Sequence, residues 1–187
     1  MRTFFTKKLI KYIIGILTVA AFFVAYFIIE HKTLYHFDTI DSGKMYRSGT
    51  LSNLGLKWVY KISEFRTIVN LRSAAENKLP WHEHERRFCE ERGITMADIP
   101  MEADTPPAPE QIKQFLELVG KKENLPAIIH CHQGVVRTGM MAAVYEIAVK
   151  EKDNKEVLKD LNTFGHDFNK DDKREVVNFI LNYKPSN

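Results

Sequence analysis

The chain has few cysteines: Cys89 and Cys131 are the only two among its 187 residues. At most one intramolecular disulfide can therefore form, and we expect Cys89 to be a small buried residue of a helix. His82 and His84 do not suggest a metal site, because two positions along a helix turn their side chains about 200° apart. We expect a solvated helix face there, and neither a metal nor another cofactor.

Most of the chain also lacks an excess of positive or negative charge. The formal net charge of +3 arises near the amino terminus, where four basic residues are balanced only by Glu30. The remainder is formally neutral, so a broad basic surface for nucleic acid is not expected. Internal repeats and low-complexity stretches are absent too. The length fits one domain of ordinary size with an appendage.

Long apolar runs are absent with one exception, the segment Leu9–Ile29, which is apolar apart from Lys11. At about 1.5 Å per residue it is long enough for a hydrocarbon core of about 30 Å. Tyr12 and Tyr26 lie near its ends, where membrane interfaces favour tyrosine. We predict a single transmembrane helix, which makes the membrane a partner. A cleaved signal peptide is the alternative, with a small-residue site at 19–21, but the apolar run continues well beyond that site.

The flanking charges predict the orientation of this helix. Arg2, Lys7, Lys8 and Lys11 precede or begin it, whereas Lys32 follows it closely. The positive-inside rule then leaves the amino terminus in the cytoplasm and places the rest of the chain across the membrane, in the periplasm of a bacterium. A reactive thiol is at risk of oxidation in such a compartment, which counts against this orientation.

The most informative motif begins at His130 and contains Cys131, five further residues, Arg137 and Thr138. An apolar run at 125–129 predicts a buried strand before it, and 138–149 predicts a helix after it. In such a strand-to-helix turn, free backbone N–H groups and the helix dipole favour an anion. Arg137 can bind two phosphate oxygens at once. The same positive field lowers a thiol pKa, so Cys131 is a candidate nucleophile.

These residues resemble the cysteine-dependent dual-specificity and tyrosine phosphatase superfamily, whose signature is His-Cys, five residues and Arg-Ser/Thr. The resemblance implies hydrolysis of phosphomonoesters through a phosphocysteine on Cys131, with Thr138 helping the sulfur to leave. It also implies phosphate binding by the loop itself. That loop comprises His132, Gln133, Gly134, Val135, Val136 and Arg137.

The resemblance further implies an aspartic acid that protonates the leaving oxygen from a loop above the phosphate. Asp104 is our first choice because it lies inside the Pro-rich loop that follows a predicted strand. Asp98 is the alternative, since its distance from Cys131 along the chain also fits the superfamily. A third interpretation gives both residues only a solvating or capping role.

Strands alternate with helices along the rest of the chain. This alternation predicts an α/β fold with a mostly parallel central sheet flanked by helices, as in dual-specificity phosphatases. The predicted strands are 45–49, 67–71, 94–99 and 127–130. The predicted helices start at a Ser52 cap and continue at 80–92, 109–119, 138–149, 155–163 and 172–182. We divide the chain into a cytoplasmic terminus (1–8), an anchor (9–29), a connector (30–42) and a phosphatase domain (43–187).

The substrate is less constrained than the reaction. A phosphorylated protein or small phosphoester is our first hypothesis, and a phospholipid such as phosphatidylglycerol phosphate is the alternative that the anchor suggests. The absence of Lys and Arg between Cys131 and Arg137 argues against a polyphosphorylated inositol. An inactive phosphate-binding module and a rhodanese-like sulfurtransferase are less consistent with the cysteine, arginine and acid together. Arg47 and Arg72 are weaker candidates for substrate contact, and we expect His166 and Asp167 to be structural.

Overall fold

A five-stranded mixed sheet forms the centre of the molecule in the computed structural model, which describes residues 2–161 and 173–185. The sheet order is β1-β2-β5-β3-β4, and the β2–β5, β5–β3 and β3–β4 pairs are parallel. The prediction of a mostly parallel sheet is therefore confirmed. The strands are β1 (Asp38–Asp41), β2 (Met45–Ser48), β3 (Thr67–Asn70), β4 (Thr95–Asp98) and β5 (Ala127–His130).

Strand β1 was not expected, because it lies in the segment 30–42 that we predicted to be a connector. It pairs antiparallel with β2, with an irregularity between Thr39 and Asp41. Its sequence is polar and its residues are half-buried or exposed. An edge strand of this kind lacks the apolar run by which the buried strands were recognised.

Seven α-helices lie within the described residues. Ser52 caps the second, as predicted, by accepting a hydrogen bond from the Gly55 N–H at 3.1 Å. The predicted helix 155–163 extends beyond the sixth helix of the structure by residues 161–163. The predicted positions 162, 163 and 172, together with His166 and Asp167, lie outside the described residues. The helices are α1 (Arg2–Ile28), α2 (Asn53–Ser63), α3 (Pro80–Glu90), α4 (Pro109–Val119), α5 (Val136–Ala148), α6 (Asn154–Asp160) and α7 (Arg174–Asn182).

Both faces of the sheet are buried, which explains why its central strands are continuous apolar runs. On β5, Ile129 packs with the α4–α7 side of the molecule, whereas its neighbour Ile128 packs with the α2–α3 side. Val69 and Ile68 of β3 divide in the same way. The carboxyl ends of β5 and β3 are thus held between two cores, and this edge carries the candidate site.

Helix α1 contains the apolar stretch Ile10–Ile28, which has a mean hydropathy of 2.0 and is not buried in the molecule. Its length and composition suit a membrane span, and equally a signal sequence. A π-helical turn, Ile29–Leu34, joins it to the segment before β1.

Candidate active site

The phosphate loop, Cys131–Arg137, leaves the end of β5 and enters α5 at Val136, two residues earlier than predicted. Gly134 adopts a positive φ of 77°, and a Cβ atom there would lie 2.4 Å from the Ser48 carbonyl. Only glycine fits this close approach without strain. The loop therefore depends on its contact with the end of β2.

Two residues near β2 hold the loop from behind. The Arg47 guanidinium, which is buried, donates a hydrogen bond to the Gly134 carbonyl at 2.7 Å. The Thr50 N–H donates to the His132 carbonyl at 3.0 Å. Arg47, which we considered for substrate contact, is thus a structural support of the phosphate loop.

The sulfur of Cys131 lies at the centre of the loop, and the residue is 3 % exposed. The Gly134 N–H points at it, with nitrogen and sulfur 3.2 Å apart. Burial raises the pKa of the Cys131 thiol, but Thr138, the Arg137 guanidinium and the Gly134 N–H together outweigh burial and hold the pKa below its ordinary value. The arrangement favours a thiolate.

Thr138 approaches this sulfur from the first turn of α5. Its hydroxyl lowers the pKa of Cys131, although Thr138 Oγ1 is buried without a well-aligned hydrogen-bond partner among the described residues. A hydroxyl in this position rotates freely enough to donate to the sulfur when negative charge develops there.

A glutamate that the sequence did not indicate, Glu76, orients Arg137. The two Arg137 terminal nitrogens donate to the Glu76 carboxylate at 2.5 and 3.3 Å, and one also donates to the Met101 carbonyl at 3.2 Å. The Ser73 N–H and Arg72 Nε add further hydrogen bonds to this carboxylate at 2.9 and 3.0 Å. Partial burial opposes ionisation, but these donors dominate and lower the pKa of Glu76 to about 2.

Arg72 therefore supports the site through Glu76. Its guanidinium also donates to Thr50 Oγ1 at 3.0 Å and lies 4.1 Å from the centre of the Trp81 ring. Arg72, which we considered for substrate contact, is thus paired with the Glu76 carboxylate. Glu76 follows β3 at the ligand end of the sheet, and that placement is the one sequence signal for it.

A second unpredicted glutamate, Glu85, lies behind the loop. Its carboxylate is 3.0 Å from His130 Nε2, and both side chains are 3 % exposed. Burial lowers the pKa of His130, but the Glu85 charge and hydrogen bond outweigh burial and raise it above its ordinary value. The Glu85 carboxylate thus favours the protonated form of His130, next to Cys131. Glu85 shares the buried face of α3 with Phe88 and Cys89, which is a weak sequence signal.

Cys89 is buried on that same face, as expected. Burial raises its pKa to about 12, so the thiol stays protonated at neutral pH.

Above the loop lies a cavity of about 300 Å³. Asp104 lines it together with Cys131 and Arg137, has a positive φ of 58°, and forms an ion pair with Lys173. Asp98, the alternative acid, instead accepts a hydrogen bond from Asn70 at 2.7 Å and lies 3.0 Å from His82 Nε2. The remaining residues that line the cavity are Ala103, His132, Gln133, Val136 and Lys173.

A family model described as "DSP-PTPase phosphatase fused to NAD+ Kinase" matches residues 20–178 of the chain. The chain belongs to this family. This membership confirms the resemblance to the dual-specificity and tyrosine phosphatase superfamily that was inferred from the phosphate loop.

Curated relatives match over about half of the chain. The probable chloroplastic NAD kinase 2 of Oryza sativa subsp. japonica is 29% identical over 98 residues, covering 52% of this chain and 10% of the relative. The dual specificity protein phosphatase TpbA of Pseudomonas aeruginosa (strain UCBPP-PA14) is 25% identical over 96 residues, covering 51% of this chain and 44% of TpbA. The chain thus spans less than half the length of either relative.

The fold is shared with the core catalytic domain of the PP-IP phosphatase Siw14 from S. cerevisiae, with a TM-score of 0.66 and 19% identity. The similarity covers 79% of this chain and 85% of that domain. It confirms the dual-specificity phosphatase fold.

Proposed function

We propose that this phosphatase hydrolyses phosphomonoesters by forming a phosphocysteine on Cys131. The observation that carries the proposal is the pairing of a buried, low-pKa thiol with a guanidinium held by Glu76, both lining one cavity. The resemblance to the superfamily agrees with it.

In the first step the Cys131 thiolate attacks phosphorus and the bond from phosphorus to the leaving oxygen breaks. Arg137 and the N–H groups of the phosphate loop bind the three equatorial oxygens, where charge develops in the transition state. Asp104 protonates the leaving oxygen. For this step Asp104 must exchange its ion pair with Lys173 for a hydrogen bond to the substrate.

In the second step Asp104, now a carboxylate, takes a proton from a water molecule that attacks the phosphocysteine. The phosphorus–sulfur bond breaks, inorganic phosphate leaves, and the thiolate returns. The Thr138 hydroxyl donates a hydrogen bond to the departing sulfur and so makes it a better leaving group. Atoms and charge balance without a metal ion in this scheme.

The proposal extends to the membrane. Helix α1 would anchor the phosphatase through Ile10–Ile28, with residues 1–8 in the cytoplasm and the phosphatase domain across the membrane. The basic residues before the helix support this orientation.

For the substrate we favour a phosphorylated protein or small phosphoester. A phospholipid such as phosphatidylglycerol phosphate is the second candidate, because an anchor would keep the cavity near headgroups. The loop carries no Lys or Arg between Cys131 and Arg137, which disfavours a polyphosphorylated inositol.

The test uses the full chain in vesicles, with Cys131→Ser as the blank. Phosphate release is compared between a phosphotyrosine peptide and phosphatidylglycerol phosphate in the vesicle. Faster release from the peptide supports the first candidate, and faster release from the lipid supports the second. Release by Cys131→Ser at the wild-type rate would contradict the mechanism, and tight binding without release would indicate a binding module.

A further inference from the structure

Helix α2 carries an exposed apolar ridge. Leu54, Trp58 and Ile62 follow one another at intervals of four residues, and their exposed fractions are 56%, 51% and 57%. Side chains at this spacing lie on one face of a helix. The opposite side of α2 is already buried through Leu56 and Val59, so the ridge is apolar surface beyond what the core needs.

This ridge lies beside the point where the chain leaves the proposed membrane span. The π-helical turn after α1 packs directly on α2, where a Cβ on Gly55 would come within 2.3 Å of the Thr33 carbonyl oxygen. Only a glycine lets the two backbones approach so closely. The start of α2 is therefore fixed against the turn that follows Ile28.

The length of chain between the span and α2 matches the depth of a headgroup layer. Thr33 follows Ile28, the last residue of the span, by five residues, which is at most about 7.5 Å at the α-helical rise of 1.5 Å per residue. The headgroup layer on each side of a bilayer is about 5–7.5 Å thick. Helix α2 is thus at the height of the headgroups if α1 spans the bilayer.

The side of α2 on which the ridge lies is consistent with α2 being at the height of the headgroups. At about 100° per residue, Ile62, Trp58 and Leu54 lie about 20°, 60° and 100° from Gly55 around α2, on the side away from the core. The ridge therefore adjoins the face that contacts the juxtamembrane turn.

The charges along the outer edge of the ridge suit a phospholipid surface. Lys57 and Lys61 are exposed there, Lys61 Nζ lies 5.9 Å from the centre of the Trp58 ring, and α2 contains no acidic residue. Lysines beside an apolar stripe with tryptophan are typical of helices that lie in a membrane interface.

We propose that α2 is an interfacial helix, with Leu54, Trp58 and Ile62 inserted among the headgroups of the bilayer that α1 spans. Lys57 and Lys61 contact lipid phosphates. The inference rests on the anchoring proposed above and adds a second membrane contact to it. Just after the π-helical turn, His36 Nδ1 lies 2.7 Å from the Gln133 carbonyl, so the chain that leaves the span also contacts the phosphate loop.

Tryptophan fluorescence of the full chain tests the proposal, since Trp58 and Trp81 are its only two tryptophans. The protein is reconstituted in vesicles of phosphatidylcholine and phosphatidylglycerol whose acyl chains carry bromine near the headgroup. We expect the brominated lipid to quench the emission, and Trp58→Phe to remove at least about half of that quenching. Trp81 serves as the internal control because it is half-buried and stacked on Arg72.

A second variant guards against indirect effects of Trp58→Phe. Ile62→Trp in the Trp58→Phe background returns a tryptophan to the same ridge, and we expect it to restore the quenching. Failure to restore it would contradict the proposed depth of the ridge.

Other outcomes separate this inference from the anchoring on which it rests. A chain that does not float with the vesicles after an alkaline wash contradicts the anchor and the interfacial helix together. A chain that floats while acrylamide quenches Trp58 as strongly as in detergent contradicts the interfacial helix alone. Protection of Trp58 from both acrylamide and brominated lipid would also overturn the proposal, in favour of a ridge covered by protein, such as a second copy of the chain.

Discussion

Two glutamates support the phosphate loop from opposite sides, and their surroundings differ. Glu76 lies in front, at the edge of the cavity, with a quarter of its side chain exposed, and accepts hydrogen bonds from Arg137, Arg72 and the Ser73 N–H. Glu85 lies behind, 3 % exposed, against His130. One carboxylate thus faces the arginine that binds phosphate, and the other faces the histidine that precedes the nucleophile.

Because their surroundings differ, we expect Glu76 to act on the geometry of the site and Glu85 to act on the ionisation of the thiol. Glu76, with a pKa lowered to about 2, is ionised across the neutral range, so its effect on Arg137 does not depend on pH there. Glu85 favours a positive charge on His130 beside Cys131, so we expect its effect to pass through the protonation state of the thiol. Substitutions on the two sides should therefore change different features of the kinetics.

The largest effect is expected from Arg137 itself, the residue that binds the phosphate. Arg137→Lys keeps a positive charge but loses the planar fork, and we expect kcat/KM to fall on the order of 10²- to 10³-fold. Hydrolysis of p-nitrophenyl phosphate by the full chain measures it. Retention of activity within tenfold of the wild type would show that charge alone is sufficient at this position.

Removing the Glu76 carboxylate, which holds Arg137, should have the next largest effect. Glu76→Gln leaves the Arg137 guanidinium without its bidentate carboxylate, and we expect kcat/KM to fall about 10- to 100-fold because the fork is misplaced. The loss should be the same at each pH from about 5 to 8, well above the pKa of Glu76. Glu117→Gln, an exposed change on α4, is the matched control. A loss confined to one end of this pH range would contradict a purely geometric role.

Removing the Glu85 carboxylate, which lies against His130, should give a smaller, pH-dependent loss of kcat/KM. In Glu85→Gln we expect the pKa of the buried His130 to fall, because the carboxylate that raises it is lost while burial, which lowers it, remains. The thiol of Cys131 then loses a neighbouring positive charge and its pKa rises. We expect the acid limb of the kcat/KM profile to move to higher pH. On the acid side, kcat/KM should fall about tenfold for every pH unit by which the limb moves.

Recovery at higher pH distinguishes ionisation from positioning in that variant. The rate of Cys131 alkylation by iodoacetamide, measured across the same pH range, reports the thiolate directly and should move in parallel. An equal loss of activity at every pH, with an unchanged alkylation profile, would show that Glu85 positions the loop without affecting the thiol.

The positions of the site residues along the chain explain which of them could be predicted from the sequence. Cys131, Arg137 and Thr138 lie close together in the chain, so their motif is visible without a structure. Glu76 is separated by 61 positions from Arg137, and Glu85 by 45 positions from His130. Such pairs depend on how β3, α3 and β5 are placed next to one another, which local patterns do not specify.

The secondary structure shows the same distinction between elements that local patterns predict and elements that depend on distant contacts. Strands β2 to β5 and most helices have apolar runs, caps or breakers that predict them. Strand β1 has none, because its polar residues form a strand only by pairing with β2 at the edge of the sheet. Asp104 and Asp98 remained alternatives in the sequence for a similar reason, since only the path of the loop brings Asp104 to the cavity.

The smallest effect is expected at Glu83, an exposed glutamate of α3 that lies two residues from Glu85. Glu83 binds Arg86 at 2.7 Å on the exposed face of the helix, where water screens the pair and makes it contribute little. We expect Glu83→Gln to change kcat/KM by less than about twofold and to leave the pH profile unchanged. Because Glu83 and Glu85 belong to one helix, the same substitution changes the charge of α3 equally in both variants. A displaced profile in Glu83→Gln would mean that the overall charge of α3 sets the thiol pKa, whereas a displacement only in Glu85→Gln assigns that effect to the buried pair with His130.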